Sequence, residues 1–114
     1  MDASGTIFRF VASVPSVPAE YLSYHETGER PNAPACQRCG LSVFRKVEDV
    51  RRLLRHLWKN YPGKSYGPHI VKRELSPDDG RIKATGSPGH QTWWAYEGVE
   101  RHISFEFVET VQNN

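Results

Sequence analysis

Apolar positions along the chain fall into two periods. Between Lys46 and Asn60, Val47, Val50, Leu53, Leu54, Leu57 and Trp58 recur every three or four residues. That spacing gathers them on one stripe of a helix over about 46–60. Glu48 and Asp49 stand in its first turn and Lys59 in its last, as the helix dipole favours. Asn60-Tyr61-Pro62-Gly63 ends it, because proline cannot continue the hydrogen-bond ladder and glycine accepts the turn.

Elsewhere the period is two, or the apolar runs are short. Thr6 to Ala12 predicts a strand with Phe8 and Phe10 on one face and Ile7 and Val11 on the other, Arg9 being the polar exception. Leu41 to Phe44 predicts a second strand. His69 to Leu75, Arg81 to Thr85 and Thr92 to Tyr96 read as further strands, separated by the turn sequences Ser76-Pro77-Asp78-Asp79-Gly80 and Gly86-Ser87-Pro88-Gly89. His102 to Val108 predicts the last, with Ile103, Phe105 and Phe107 inward and Ser104 and Glu106 outward. The expected order after the helix is a meander. Residues 13–35 hold four of the eight prolines (Pro15, Pro18, Pro31, Pro34) and read as a long loop containing one helical turn from Pro18 to Leu22. The pattern predicts a single α+β domain over 1–114: a mostly antiparallel sheet of about five strands with one main amphipathic helix.

Length and composition agree with a packed core. The chain has 114 residues, 38% hydrophobic and 25% charged, which is globular usage and not that of a disordered segment. A net charge of +2 falls well short of a protein that coats nucleic acid by charge alone, while permitting a nucleic-acid partner. No apolar run reaches the length of a membrane span, and the start of the chain lacks a basic, then apolar, leader. With only two cysteines, the expected address is the cytoplasm.

Four constellations bear on chemistry. Cys36-Gln37-Arg38-Cys39-Gly40 has the spacing with which two thiolates grip one zinc ion, and His25 and His56 are the candidate remaining ligands. The segment His25-Glu26-Thr27-Gly28-Glu29-Arg30-Pro31 resembles the linker between zinc fingers, and the cysteine pair, Phe44, Leu53 and His56 resemble the finger itself over about thirty residues. The finger pattern then breaks. Sixteen residues separate Cys39 from His56, and Lys59 and Asn60 stand where a second histidine belongs. Zinc, if bound, is expected to pin the long loop. Gly63-Lys64-Ser65 lacks both the glycine at position 58 and the following helix of a phosphate-binding loop, so that reading is excluded.

The second constellation is the basic face of the helix opposite its apolar stripe, Arg45, Lys46, Arg51, Arg52, Arg55, His56 and Lys59, with Tyr61, Lys64 and Tyr66 following in sequence. Such a face can lie along phosphates or simply solvate, with Glu48 and Asp49 placed to pair with Arg52. The third is His90-Gln91-Thr92-Trp93-Trp94: adjacent residues on a strand point to opposite faces, so His90, Trp93 and Trp94 offer an exposed ring unless both faces are covered. The fourth is Arg9, Ser42 and Glu106 (or Glu109), which occur in the chain order in which ADP-ribosyl transferases set an Arg, a small polar residue and a late Glu. Against that reading, an arginine on an apolar strand can simply pair with a carboxylate such as Glu106.

These residues predict a non-enzymatic binding or adaptor domain, its nucleic-acid or protein partner seated between the 13–35 loop and the Trp93/Trp94 region. A small NAD-using transferase is the alternative, and an inhibitor or accessory subunit of a larger complex a third.

Overall fold

A computed structural model describes residues 1–15, 17–23, 40–85 and 89–112. Among these, six strands form one antiparallel sheet: β1 (Gly5–Val11), β2 (Leu41–Phe44), β3 (His69–Leu75), β4 (Gly80–Ala84), β5 (His90–Ala95) and β6 (Glu106–Thr110). One helix, α1 (Val47–Asn60), follows β2 directly, and single 3₁₀ turns lie at Pro18–Tyr21 and Pro77–Asp79. The α+β architecture read from the pattern is therefore present, with six strands in place of about five.

The strands are not a meander. Their order is β4-β5-β2-β1-β3-β6, so β3 and β4, joined by four residues, have three strands between them. The sheet coils to allow this. The residues before β1 return to β4: Ala3 N–H donates to the Gly80 carbonyl and Ile82 N–H to that of Met1, each at 3.0 Å. Gly80 is placed where only glycine fits. Its φ is 135°, and a Cβ there would lie 2.0 Å from the Trp94 carbonyl oxygen.

Coiling gives the sheet two unlike faces. The concave face gathers Ala3, Ile7, Val11, Leu41, Val43, Val71, Leu75, Ile82 and Trp93, with Tyr21 laid over them. The other face receives α1, where Val50 and Leu54 pack on Phe44, Ile70 and Val111, and Phe8 and Phe10 join at the margin. β1 thus carries apolar residues on both faces because both are covered. A fully buried leucine such as Leu54 stabilises the fold by about 2–3 kcal/mol relative to exposure.

Two arginines, Arg9 partly buried and Arg73 buried, bind the concave side together. Arg9 donates from Nη1 to the Ser42 carbonyl (2.6 Å) and from Nη2 to that of Glu20 (2.8 Å), with its guanidinium 5.7 Å from the Tyr21 ring centroid. The Glu20 carboxylate in turn accepts from Ala12 N–H and, at 2.9 Å, from the Ser13 hydroxyl. Arg73 is 8% exposed. It donates to the carbonyls of Glu100 (3.1 Å), Arg101 (3.2 Å) and Ile103 (2.9 Å), and to Asp79 Oδ1 (2.9 Å).

That second cluster explains a departure from the expected last strand. Residues 101–104 are turn, held by Arg73 through their carbonyls, and Ser104 has φ 67°. β6 therefore starts at Glu106, four residues later than His102. Ile103 is exposed. Phe105 packs on the concave core as expected, while Phe107 is 52% exposed, because its strand is the outermost of the sheet.

Candidate functional site

The basic residues of α1 do not act as one face. Arg51, Arg55 and Lys59 are spaced by four and form a ridge along the helix, with Trp58 beside its end. Arg52 lies apart from them. It is 72% exposed and meets Asp49 Oδ1 at 3.1 Å.

The ridge overhangs β6. Between them runs an open groove of about 680 Å³, walled by Arg51, Arg55, Trp58 and Lys59 on one side and by Glu109, Thr110, Val111 and Gln112 on the other. That volume suits a ligand segment. The floor is secured at both walls. Val111 is buried and its N–H donates to the Pro68 carbonyl at 2.9 Å. Trp58 is fixed by its indole N–H, which donates to the Tyr66 carbonyl at 3.0 Å.

Charge along the ridge is graded. Arg51 Nε donates to Glu109 Oε1 across the groove, and this bond holds the guanidinium pKa above its usual value. Arg51 is thus a committed cation that ties helix to strand. Arg55 and Lys59 are exposed and have no ion-pair partner among the described residues. Two free cations and one aromatic edge on a firm wall can accept carboxylate or phosphate oxygens.

The other residues singled out from sequence are dispersed. Tyr66 packs edge-on against Phe10 with ring centroids 6.5 Å apart, and so serves the helix-side core. His90 sits 5.2 Å from the Phe44 ring, and its Nδ1 lies 2.9 Å from the Thr85 hydroxyl. Trp93 is fully buried, its indole N–H donating to the Asp79 carbonyl at 3.0 Å, which corrects its expected place on a binding surface. Trp94 is half-buried on the opposite face of β5, against Gly40. The β5 strand lies toward the far edge of the sheet from β6, so these rings are not part of the groove.

The transferase trio does not assemble. Arg9 points to the concave side, with Ile7 and Val11. Ser42, between Leu41 and Val43, has its side chain on the helix side. Glu106 is exposed on β6, paired with Lys72 and separated from β1 by the whole of β3. Arg9 is held by main-chain carbonyls, and the expected Glu106 pair is not the arrangement seen.

Of the zinc candidates, Cys36, Cys39 and His25 lie outside the described residues, as do residues 24–35 of the long loop. His56 is exposed on α1, its Nδ1 3.2 Å from Asn60 Nδ2. Among the described residues no three His, Cys, Asp or Glu side chains gather as a metal site, and no helix is long and apolar enough to cross a membrane.

Trp58, Thr110, Val111 and Gln112 line the groove without any expected binding role, and Glu109 was expected only as the alternative late glutamate of the transferase trio. The four-residue spacing of 51, 55 and 59 was the available signal for the ridge; nothing local marks the strand that faces it. In comparisons with known proteins, the chain matches no family model, no curated protein and no solved structure.

Proposed function

We propose that this is a binding domain, without catalysis of its own, whose groove between α1 and β6 receives an anionic segment of a partner. One observation carries the reading: Arg55 and Lys59, with no ion-pair partner among the described residues, stand over a groove of about 680 Å³ beside the fixed indole of Trp58. Arg51, already neutralised by Glu109, shapes that wall and adds little net charge. The dispersal of Arg9, Ser42 and Glu106 supports binding over transfer chemistry. Residues named by sequence for this role are retained in part. Arg51 and Arg55 line the groove; Arg52, Tyr66, His90, Trp93 and Trp94 do not.

The test is calorimetric titration of the full chain with poly-L-glutamate and with oligothymidylate, each at low and at physiological salt. Binding of at least one polyanion is expected, weakening with salt. In an Arg55→Ala/Lys59→Ala double variant affinity is expected to fall roughly tenfold with an unchanged melting temperature, because two exposed charge contacts are lost and no packing is disturbed. Binding that survives the double substitution undiminished, or no binding of either polyanion, refutes the groove.

A further inference from the structure

We infer that the partner enters as an extended peptide, alternately acidic and apolar, that adds a strand to the free edge of β6. The inference rests on the groove reading above and specifies its occupant.

β6 is the outermost strand, paired with β3 on one side and with no strand on the other among the described residues. Its main chain is directed accordingly. The Val111 N–H turns inward to the Pro68 carbonyl. Alternation along an extended chain then turns the N–H groups of Thr110 and Gln112 outward, toward the groove. Outward amide groups beside a walled channel are what strand addition requires.

The two faces of that edge differ in chemistry. On the helix side stand Arg55, Lys59 and Trp58. On the other side stands Phe107, paired with Val71 of the concave face and half exposed, with the His69 ring 6.2 Å away and edge-on. His69 is itself held, Nδ1 lying 2.9 Å from the Thr110 hydroxyl. A strand laid along β6 projects successive side chains to opposite faces. Its helix-side positions meet cations and favour Asp or Glu; its alternate positions meet Phe107 and favour Val, Ile or Leu.

Charge argues for peptide over nucleic acid. β6 itself carries Glu106 and Glu109, which repel a continuous polyphosphate; Glu109 is already paired with Arg51, so discrete peptide carboxylates can instead be set against Arg55 and Lys59. The net charge of +2 also supplies little long-range attraction for such a polymer.

The experiment is an NMR titration of the full, isotopically labelled chain with a short monomeric peptide alternating glutamate and valine, and separately with oligothymidylate. Strand addition slows amide hydrogen exchange at Thr110 and Gln112 when the peptide binds. Phe107→Ala weakens the peptide several-fold and leaves poly-L-glutamate unchanged, since only the valines contact that ring. Peptide binding without protection at Thr110 and Gln112, or an oligothymidylate that binds more tightly than the peptide, overturns strand addition while the groove reading stands. Wild-type affinity for both ligands in the Arg55→Ala/Lys59→Ala variant overturns the two together.

Discussion

Replacing Arg73 with methionine tests how the entry to β6 is held. The guanidinium bonds three carbonyls of the 100–103 turn and Asp79, and its Cζ lies 5.1 Å from the Trp93 ring centroid. Methionine keeps much of the volume and loses every one of those bonds. The Glu100 and Ile103 residues are exposed, so their carbonyls regain water and contribute little to the loss. Asp79 is different: it remains partly buried, still accepting from Ser76 N–H at 2.8 Å, with its counter-charge gone. Removing one member of a buried pair costs about 3–5 kcal/mol, and the lost contact with the indole adds about 1. In the opposite direction, Arg73 Nε is buried and has no acceptor among the described residues. Deleting that donor returns about 1–3 kcal/mol. The net expectation is a loss of about 3 kcal/mol, which for a chain of this size lowers Tm by about 12 °C. Urea unfolding followed by tryptophan fluorescence gives the free energy, and exchange at residues 99–104 shows whether the turn loosens first. An Arg73→Met protein within about 1 kcal/mol of wild type, with that turn equally protected, refutes the claim that Arg73 organises it.

Two further outcomes follow from the packing. Leu54→Ala should cost about 2–5 kcal/mol by thermal or urea unfolding, because the leucine is fully buried beneath the helix and touches Phe44, Ile70 and the Gly67 backbone region; a loss below about 1 kcal/mol would mean the helix is not seated there. Gly80→Ala should destabilise by more than the usual glycine-to-alanine change of about 1 kcal/mol, since the new Cβ meets the Trp94 carbonyl at 2.0 Å and φ is 135°. Circular dichroism melts measure it, and an unchanged Tm would contradict the placement of β4 against β5.

Local patterning determined much of this protein. The helix at Val47–Asn60 matches its expected span within a residue at the start, because a stripe at three- and four-residue spacing has only one face to bury. The two-faced character of β1 was equally legible, since Ile7 and Val11 alternate with Phe8 and Phe10 whatever lies on either side. Turn residues marked the ends of most strands for the same reason: proline and glycine act on their own backbone.

What the alternation could not supply was neighbours. Strand order depends on contacts between residues far apart in the chain, and nothing in residues 69–84 announces that β4 joins β5 and the chain start while β3 joins β6. Trp93 and Trp94 have equivalent local settings; only the coiling of the sheet seals one of them on its concave face. Phe107 has the alternation of a core residue and is exposed because its strand has no outer neighbour among those described. The groove is likewise a tertiary product. Its walls are 51–59 and 109–112, brought side by side by the pairing of β6 with β3 and by the bond from Arg51 to Glu109. Periodicity selects which side of an element turns inward, whereas long-range pairing selects what it turns toward.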